Sequence, residues 1–285
     1  MRDNLPMPPF DPRIPRDLAA QLGHEAVSII EAGGYVAPSG TGVDLRAAIA
    51  SARDRTVEYP PDAAVPAPAP GPHATRIEVT RESTLAAFRR LFDDGHAAAA
   101  LNFASAVAPG GGFLGGARAQ EEYLARSSAL FACLVGRRMY AYHCELGGEL
   151  YSDWAIWSPD VPVFREDDHR LLETPYPCSI VTCAAPYVAS LAHAAPQRLP
   201  DVEPAFRSRI ARVLALGALH GRDAMVLGAW GCGAFGGDPV IVARLFREAL
   251  EGPFRGAFRR VVFAVADTTV EGRMVGAFER EFRAA

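Results

Sequence analysis

Two adjacent glutamates, Glu121 and Glu122, follow Gln120, and seven residues separate this trio from an unbroken glycine triplet, Gly110 to Gly112. Carboxyl groups are the common acid and base of glycoside hydrolysis, where one of them protonates the oxygen that leaves. The stretch from Leu101 to Tyr123 reads as the end of a strand, a glycine turn and the start of a helix. Three consecutive glycines let main chain approach a ligand with no side chain between, and a helix start favours anionic groups. On that helix, neighbouring side chains diverge by about 100°. Glu121 and Glu122 therefore cannot face one bond symmetrically. One transfers the proton and the other holds sugar hydroxyls, and the residues alone do not say which.

A second unusual loop runs from Leu227 to Pro239 and holds five glycines between Gly228 and Gly237. Its free N–H groups can fold into a nest for an anion, and Pro239 is a good first residue for the helix that follows. The chain contains no lysine, so the lysine of a nucleoside triphosphatase loop is missing, as is its hydroxyl. Gly231 to Gly236 matches the dinucleotide pattern GxGxxG, but too little sequence follows for a full Rossmann domain. A diphosphate held mainly by backbone is the economical reading. Taken together, the two loops supply a pyrophosphate cradle and carboxyl groups, which is what hydrolysis of a sugar diphosphate requires. Cys232 has no base spaced to activate it and reads as a small residue that leaves backbone room. Adjacent His143 and Cys144 make a poor chelate. No metal site and no cofactor are expected.

These loops need a scaffold. Leu18, Leu22, Ala26, Ile29 and Ile30 recur at helical spacing until Gly33-Gly34 stops the run, and a second short helix follows Asp44. Tyr59 to Pro72 carries six prolines and reads as a semi-extended connector. The expected division is a helical N-terminal extension with its connector over 1–72, and an α/β domain over 73–285. There, strands at 77–79, 97–103, 154–157, 161–164, 179–184, 224–228 and 260–266 alternate with helices at 83–92, 120–137, 204–219, 239–250 and 271–282. Such alternation implies a largely parallel sheet covered on both faces, with ligands at the carboxyl ends of its strands. Asp267-Thr268-Thr269 falls at that edge, either touching adenine or polymer or capping the last helix.

The 285 residues are 49% hydrophobic and 22% charged, the proportions of a globular chain rather than a disordered one. A net charge of -4 argues against binding nucleic acid by bulk charge. Five cysteines without a CxxC pair suit a reducing cytoplasm, and no apolar run is long enough to cross a bilayer.

Glycine triplet, seven residues and QEE together resemble the signature of poly(ADP-ribose) glycohydrolases, and Gly231 to Asp238 resembles that family's diphosphate loop. The similarity is to the bacterial type, includes Asn102 to Ala106 and Tyr151 to Arg165, and covers nearly the whole chain. The resemblance implies a macrodomain fold, a mixed α/β sheet that binds ADP-ribose, and hydrolysis of ribose–ribose O-glycosidic bonds to release ADP-ribose. It implies Glu122 as general acid/base, with Glu121 and Gln120 positioning the ribose. Gly110, Gly111 and Gly112 would then sit beside the scissile end. Gly231, Cys232, Gly233, Ala234, Phe235 and Gly236 would hold the diphosphate, with Phe235 against the distal ribose. Animal members carry aspartate and asparagine where this chain, allowing one inserted residue, has Asn102 and Ser105, so the ribose contacts of these two residues follow less directly. Implied partners are poly(ADP-ribose) or ADP-ribosylated proteins, with neither a membrane nor nucleic acid, and a place in the DNA damage response. The alternatives are a non-catalytic ADP-ribose-binding macrodomain and a hydrolase of another ADP-ribosyl linkage.

Overall fold

Leu22, Ala26 and Ile29 bury one face of α1 (Arg16–Ala32), which Gly33 ends in the left-handed region at φ 71°. The computed structural model describes residues 14–267 and 271–283, apart from 67 and 69. After α1 come β1 (Gly34–Val36) and β2 (Gly42–Asp44), a small antiparallel ribbon that helical periodicity does not foresee, then α2 (Arg46–Asp54) and β3 (Val57–Tyr59). The connector leads to β4 (Arg76–Thr80), α3 (Thr84–Asp93), β5 (Ala98–Phe103), α4 (Gln120–Ser127), α5 (Leu130–Leu134) and α6 (Arg138–Leu146). β6 (Ala155–Arg165), β7 (Leu171–Cys183), α7 (Val188–Ala194) and α8 (Val202–Leu219) follow. The chain closes with β8 (Ala224–Leu227), α9 (Pro239–Glu251), β9 (Arg260–Ala264) and α10 (Arg273–Glu281).

Seven strands form one mixed sheet in the order β3-β6-β7-β5-β8-β9-β4. Every pair from β7 through to β4 is parallel, while β3–β6 and β6–β7 are antiparallel. This is the expected macrodomain-like α/β architecture. β5 lies near its centre and is apolar on both faces. Ala98 and Ala100 pack with Leu85, Phe88 and Leu124 on one side, and Ala99 and Leu101 pack with Val213, Leu214 and Phe246 on the other.

Two local readings need correction. The helix expected over 120–137 breaks into α4 and α5, because Ser128 turns extended (φ -148°, ψ 172°) and bridges to Val163 on β6. Ala129 N–H then bonds to Pro162 O at 2.9 Å, so the sheet captures backbone that a helix would otherwise use. The strands expected on either side of Ser158-Pro159-Asp160 are one strand, β6, with a bulge there. Asp160 sits at φ 50° and its N–H donates to Ser179 Oγ at 3.2 Å on β7.

Residues on both sides of position 72 share this scaffold. β3 extends the main sheet by pairing with β6, and Ala26, Ile29, Leu45, Ile49 and Ala52 belong to the same packed core as Phe88 and Val262.

Candidate active site

The two glycine loops leave β5 and β8, which are neighbours in the sheet and end at the same edge. Beyond β5 the chain folds back on α4 through a set of short hydrogen bonds. Phe103 N–H donates to Gln120 Oε1 at 2.9 Å, and Gln120 Nε2 donates to Leu101 O at 2.8 Å and to Thr84 Oγ1 at 3.0 Å. Gln120 thereby stitches the first turn of α4 to the end of the strand. Ser105 N–H donates to Glu121 Oε2 at 2.6 Å, and Asn102 Nδ2 donates to Glu121 Oε1 at 3.3 Å and to Thr182 Oγ1 at the same distance. The Ser105 hydroxyl faces its own loop, accepting from the N–H groups of Val107 and Ala108.

Gly112 N–H donates to Glu122 Oε1 at 3.0 Å. The other oxygen, Glu122 Oε2, is buried and has no hydrogen-bond partner among the described residues. Gly111 explains the need for glycine here. It sits at φ 60°, and a Cβ on it would lie 2.3 Å from Glu122 Oε1 and 3.0 Å from Glu121 Oε2.

Both carboxyl groups are buried, Glu121 at 3% exposure and Glu122 at 8%. Burial pushes the Glu121 carboxyl up to about 8; the charge of Glu122 adds to this, while the Ser105, Asn102 and Gly110 donors oppose it. Beneath them lies the buried Arg126, whose guanidinium donates to Ala117 O at 2.7 Å. Desolvation lowers Arg126 to about 10, with the Glu122 charge working in the other direction. Tyr123, next on α4, donates to the carboxylate of Asp167 and meets Ser83 Oγ at 3.2 Å.

The second loop makes a shallow bowl. Gly231 and Gly236 both take φ 75°, and a Cβ on either would press within 3 Å of Ala185 or Ala189. Cys232, Gly236 and Gly237 spend their N–H groups inside the loop. Those of Gly231, Gly233, Ala234 and Phe235 take no partner among the described residues. The Asp238 side chain caps α9 by accepting from Val240 N–H at 2.9 Å. Phe235 stacks on Tyr187 with centroids 4.6 Å apart. Burial drives the Cys232 thiol far above its ordinary range, as befits a packing residue.

One cavity of about 370 Å³ joins the loops. Of the residues singled out from sequence, Ser105, Gln120, Glu121, Glu122, Gly231, Gly233, Ala234 and Phe235 line it. Asn102, the glycine triplet, Cys232 and Gly236 are not part of its lining. Thr268 lies outside the described residues; its neighbour Asp267 accepts from Met274 N–H at 2.7 Å and Val275 N–H at 3.0 Å, capping α10. Sequence reasoning did not single out Ser83, Thr84, Arg118, Val265 or Met274, all in the cavity wall. Val265 follows β9, so the rule that ligands meet the carboxyl ends of strands pointed to it. Ser83 was visible only as a helix cap, a role it does fill by accepting from Ala86 N–H. His143 is buried with Nδ1 3.2 Å from Ala106 O and Nε2 2.7 Å from Ser152 Oγ, so it props the first loop. Among the described residues no three His, Cys, Asp or Glu side chains gather to hold a metal.

Fold and cavity together define a class, a macrodomain-like α/β protein with two buried carboxyl groups and a glycine loop in the wall of one cavity. The model of the microbial-type PARG catalytic domain matches residues 23–166. The structure is similar to the poly(ADP-ribose) glycohydrolase of Thermomonospora curvata bound to the inhibitor ADP-HPD, with a TM-score of 0.87 and 46% identity over 93% of this chain and 100% of that one. It is also similar to the Deinococcus radiodurans enzyme in complex with ADP-ribose, with a TM-score of 0.79 and 45% identity over 82% of this chain and 97% of that one. No curated protein matches. The chain belongs to the microbial-type poly(ADP-ribose) glycohydrolase family and is a glycosidase acting on poly(ADP-ribose).

Proposed function

We propose that Glu122 is the general acid and base of this glycohydrolase and that Glu121 positions the ribose. The observation that carries this is the unequal use of four carboxyl oxygens. Both oxygens of Glu121 and one of Glu122 already receive N–H donors, whereas Glu122 Oε2 receives none among the described residues. An oxygen that receives a donor is tied to the protein; an unengaged one is open to the substrate. Glu122 Oε2 is therefore the oxygen free to present a proton to the substrate.

In the forward step, Oε2–H passes its proton to the 2′-oxygen of the departing adenosine ribose. The bond from that oxygen to the anomeric carbon breaks, leaving an oxocarbenium-like ribose and a Glu122 carboxylate. Water then adds to the anomeric carbon and Glu122 takes its proton, which restores the acid. The diphosphate of the terminal unit rests on the free N–H groups of Gly231, Gly233, Ala234 and Phe235, while Cys232 and Gly236 shape that bowl and Phe235 borders the distal ribose. Asn102, Ser105, Gln120 and the triplet Gly110–Gly112 act by fixing both glutamates. Thr268 belongs to the substrate edge in this reading. A cytoplasmic location agrees with five free cysteines, four of them buried, and turnover of polymer in the DNA damage response is the role that goes with it.

Glu122→Gln tests the assignment because it keeps the shape and removes the transferable proton. Turnover of poly(ADP-ribose) is expected to drop about a hundredfold to ten-thousandfold, with ADP-ribose affinity by calorimetry changed less than about threefold. Wild-type turnover in this variant would overturn the role.

A further inference from the structure

The cavity wall contains three charged side chains, Glu121, Glu122 and Arg118. A chain of net charge -4 that must hold a polyanion therefore presents, among the described residues, a single cation there. Arg118 is exposed and stands four residues before Glu122, at the mouth of the cavity. One of its terminal nitrogens donates to Ile14 O at 2.8 Å, which holds the side chain in place. Its other donors meet no carboxylate among the described residues. Its charge is also felt by the buried Arg126, whose guanidinium it disfavours. An anchored cation kept without an acidic partner, beside another cation, is an arrangement in want of an anion.

That anion is not the diphosphate already assigned to the Gly231–Phe235 bowl. A terminal ADP-ribose unit reaches from that bowl to Glu122, where its anomeric carbon is attached to the adenosine ribose of the next unit. Beyond the scissile bond the polymer leaves past Glu122, and the nearest charge on it is the pyrophosphate of that second unit. We propose that Arg118 binds the pyrophosphate of the leaving ADP-ribose unit, so that it selects polymer over a single ADP-ribose. This rests on the assignment of Glu122 as the acid. Arg suits the task better than a point charge, since its fork can grip two phosphate oxygens.

The test uses Glu122→Gln as a background that leaves oligomer uncleaved, and compares ADP-ribose with its two-unit oligomer by calorimetry. Adding Arg118→Gln is expected to weaken the oligomer about tenfold, the value of one charge-assisted contact, and to leave the affinity for ADP-ribose within about twofold. Oligomer binding should also become less sensitive to salt. Arg118→Lys, which keeps a donor for Ile14 O, should recover part of the loss. Equal weakening of both ligands would assign Arg118 to the first pyrophosphate and overturn the proposal, as would no change in either. A fall in melting temperature with ADP-ribose affinity lost as well would mark a structural role and overturn it too. Cleavage of the oligomer by Glu122→Gln itself would instead strike the acid assignment, so the two failures are separable.

Discussion

Glu121 and Glu122 are neighbours in the chain and both are buried, yet their surroundings differ in a way that should show in solution. Glu121 is pushed up to about 8 from its ordinary 4.5, chiefly by burial. The folded protein thus binds this proton more tightly than the unfolded chain does. The stabilisation is complete below 4.5, diminishes as pH rises, and is gone once pH passes about 8. Glu121→Gln removes the titrating group. Its melting temperature should therefore fall less than that of wild type between those two values, in scans by circular dichroism across the range. Parallel profiles would mean that Glu121 is not held protonated. The same proton loss should appear in catalysis. Above about 8 Glu121 becomes a carboxylate where it positions the ribose, and kcat/KM is expected to decline about tenfold per pH unit.

At the scale of elements, α1 acts as a clamp on the loop that follows the glycine triplet. A Cβ on Gly23 would come 2.7 Å from Phe113 O, and one on Gly116 would come 2.1 Å from Arg16 O. Arg16 Nε donates to Gly115 O at 2.9 Å, and the buried Arg165 reaches Glu25 on α1 at 2.8 Å while donating to Arg126 O. Gly23→Ala should push α1 away from the turn that carries Gly112, costing about 1–3 kcal/mol of stability and lowering kcat more than it raises KM. Thermal melts and steady-state kinetics check both parts, and an unchanged kcat would remove the clamp from the account. This coupling was hidden in the sequence, because close approach of helix to loop leaves no mark beyond a glycine at helical spacing. What was legible had local causes. The helix that became α1 showed its apolar stripe, Ser83 and Pro239 marked helix starts, and strands β5 and β8 were evident as buried apolar runs before glycine loops. The break at Ser128 and the bulge at Asp160 were not, since both arise from pairing with partners tens of residues away. In the site, the residue types of both loops were readable, but not that Gln120 and Ser105 would spend their polar groups on the protein rather than on the cavity.

For the molecule as a whole, the question is whether the first 72 residues form a unit of their own. Composition suggests they do, because six prolines between Tyr59 and Pro72 look like a linker. Packing argues otherwise. β3 is an edge strand of the main sheet, its Tyr59 hydroxyl lies 2.9 Å from His220 Nε2 at the end of α8, and α1 and α2 complete one face of the core. Linkers that join independent domains are crossed by few contacts, whereas here the apolar faces on either side of position 72 cover each other. Removing residues 1–72 would uncover Leu124 on α4 and Leu130 on α5. We therefore expect unfolding to be one cooperative transition, with calorimetric and van't Hoff enthalpies equal, and ADP-ribose to shift the whole transition upward rather than part of it. Two resolved transitions, only the later one moved by ADP-ribose, would mean that the N-terminal segment folds apart and that the clamp on Phe113 is dispensable.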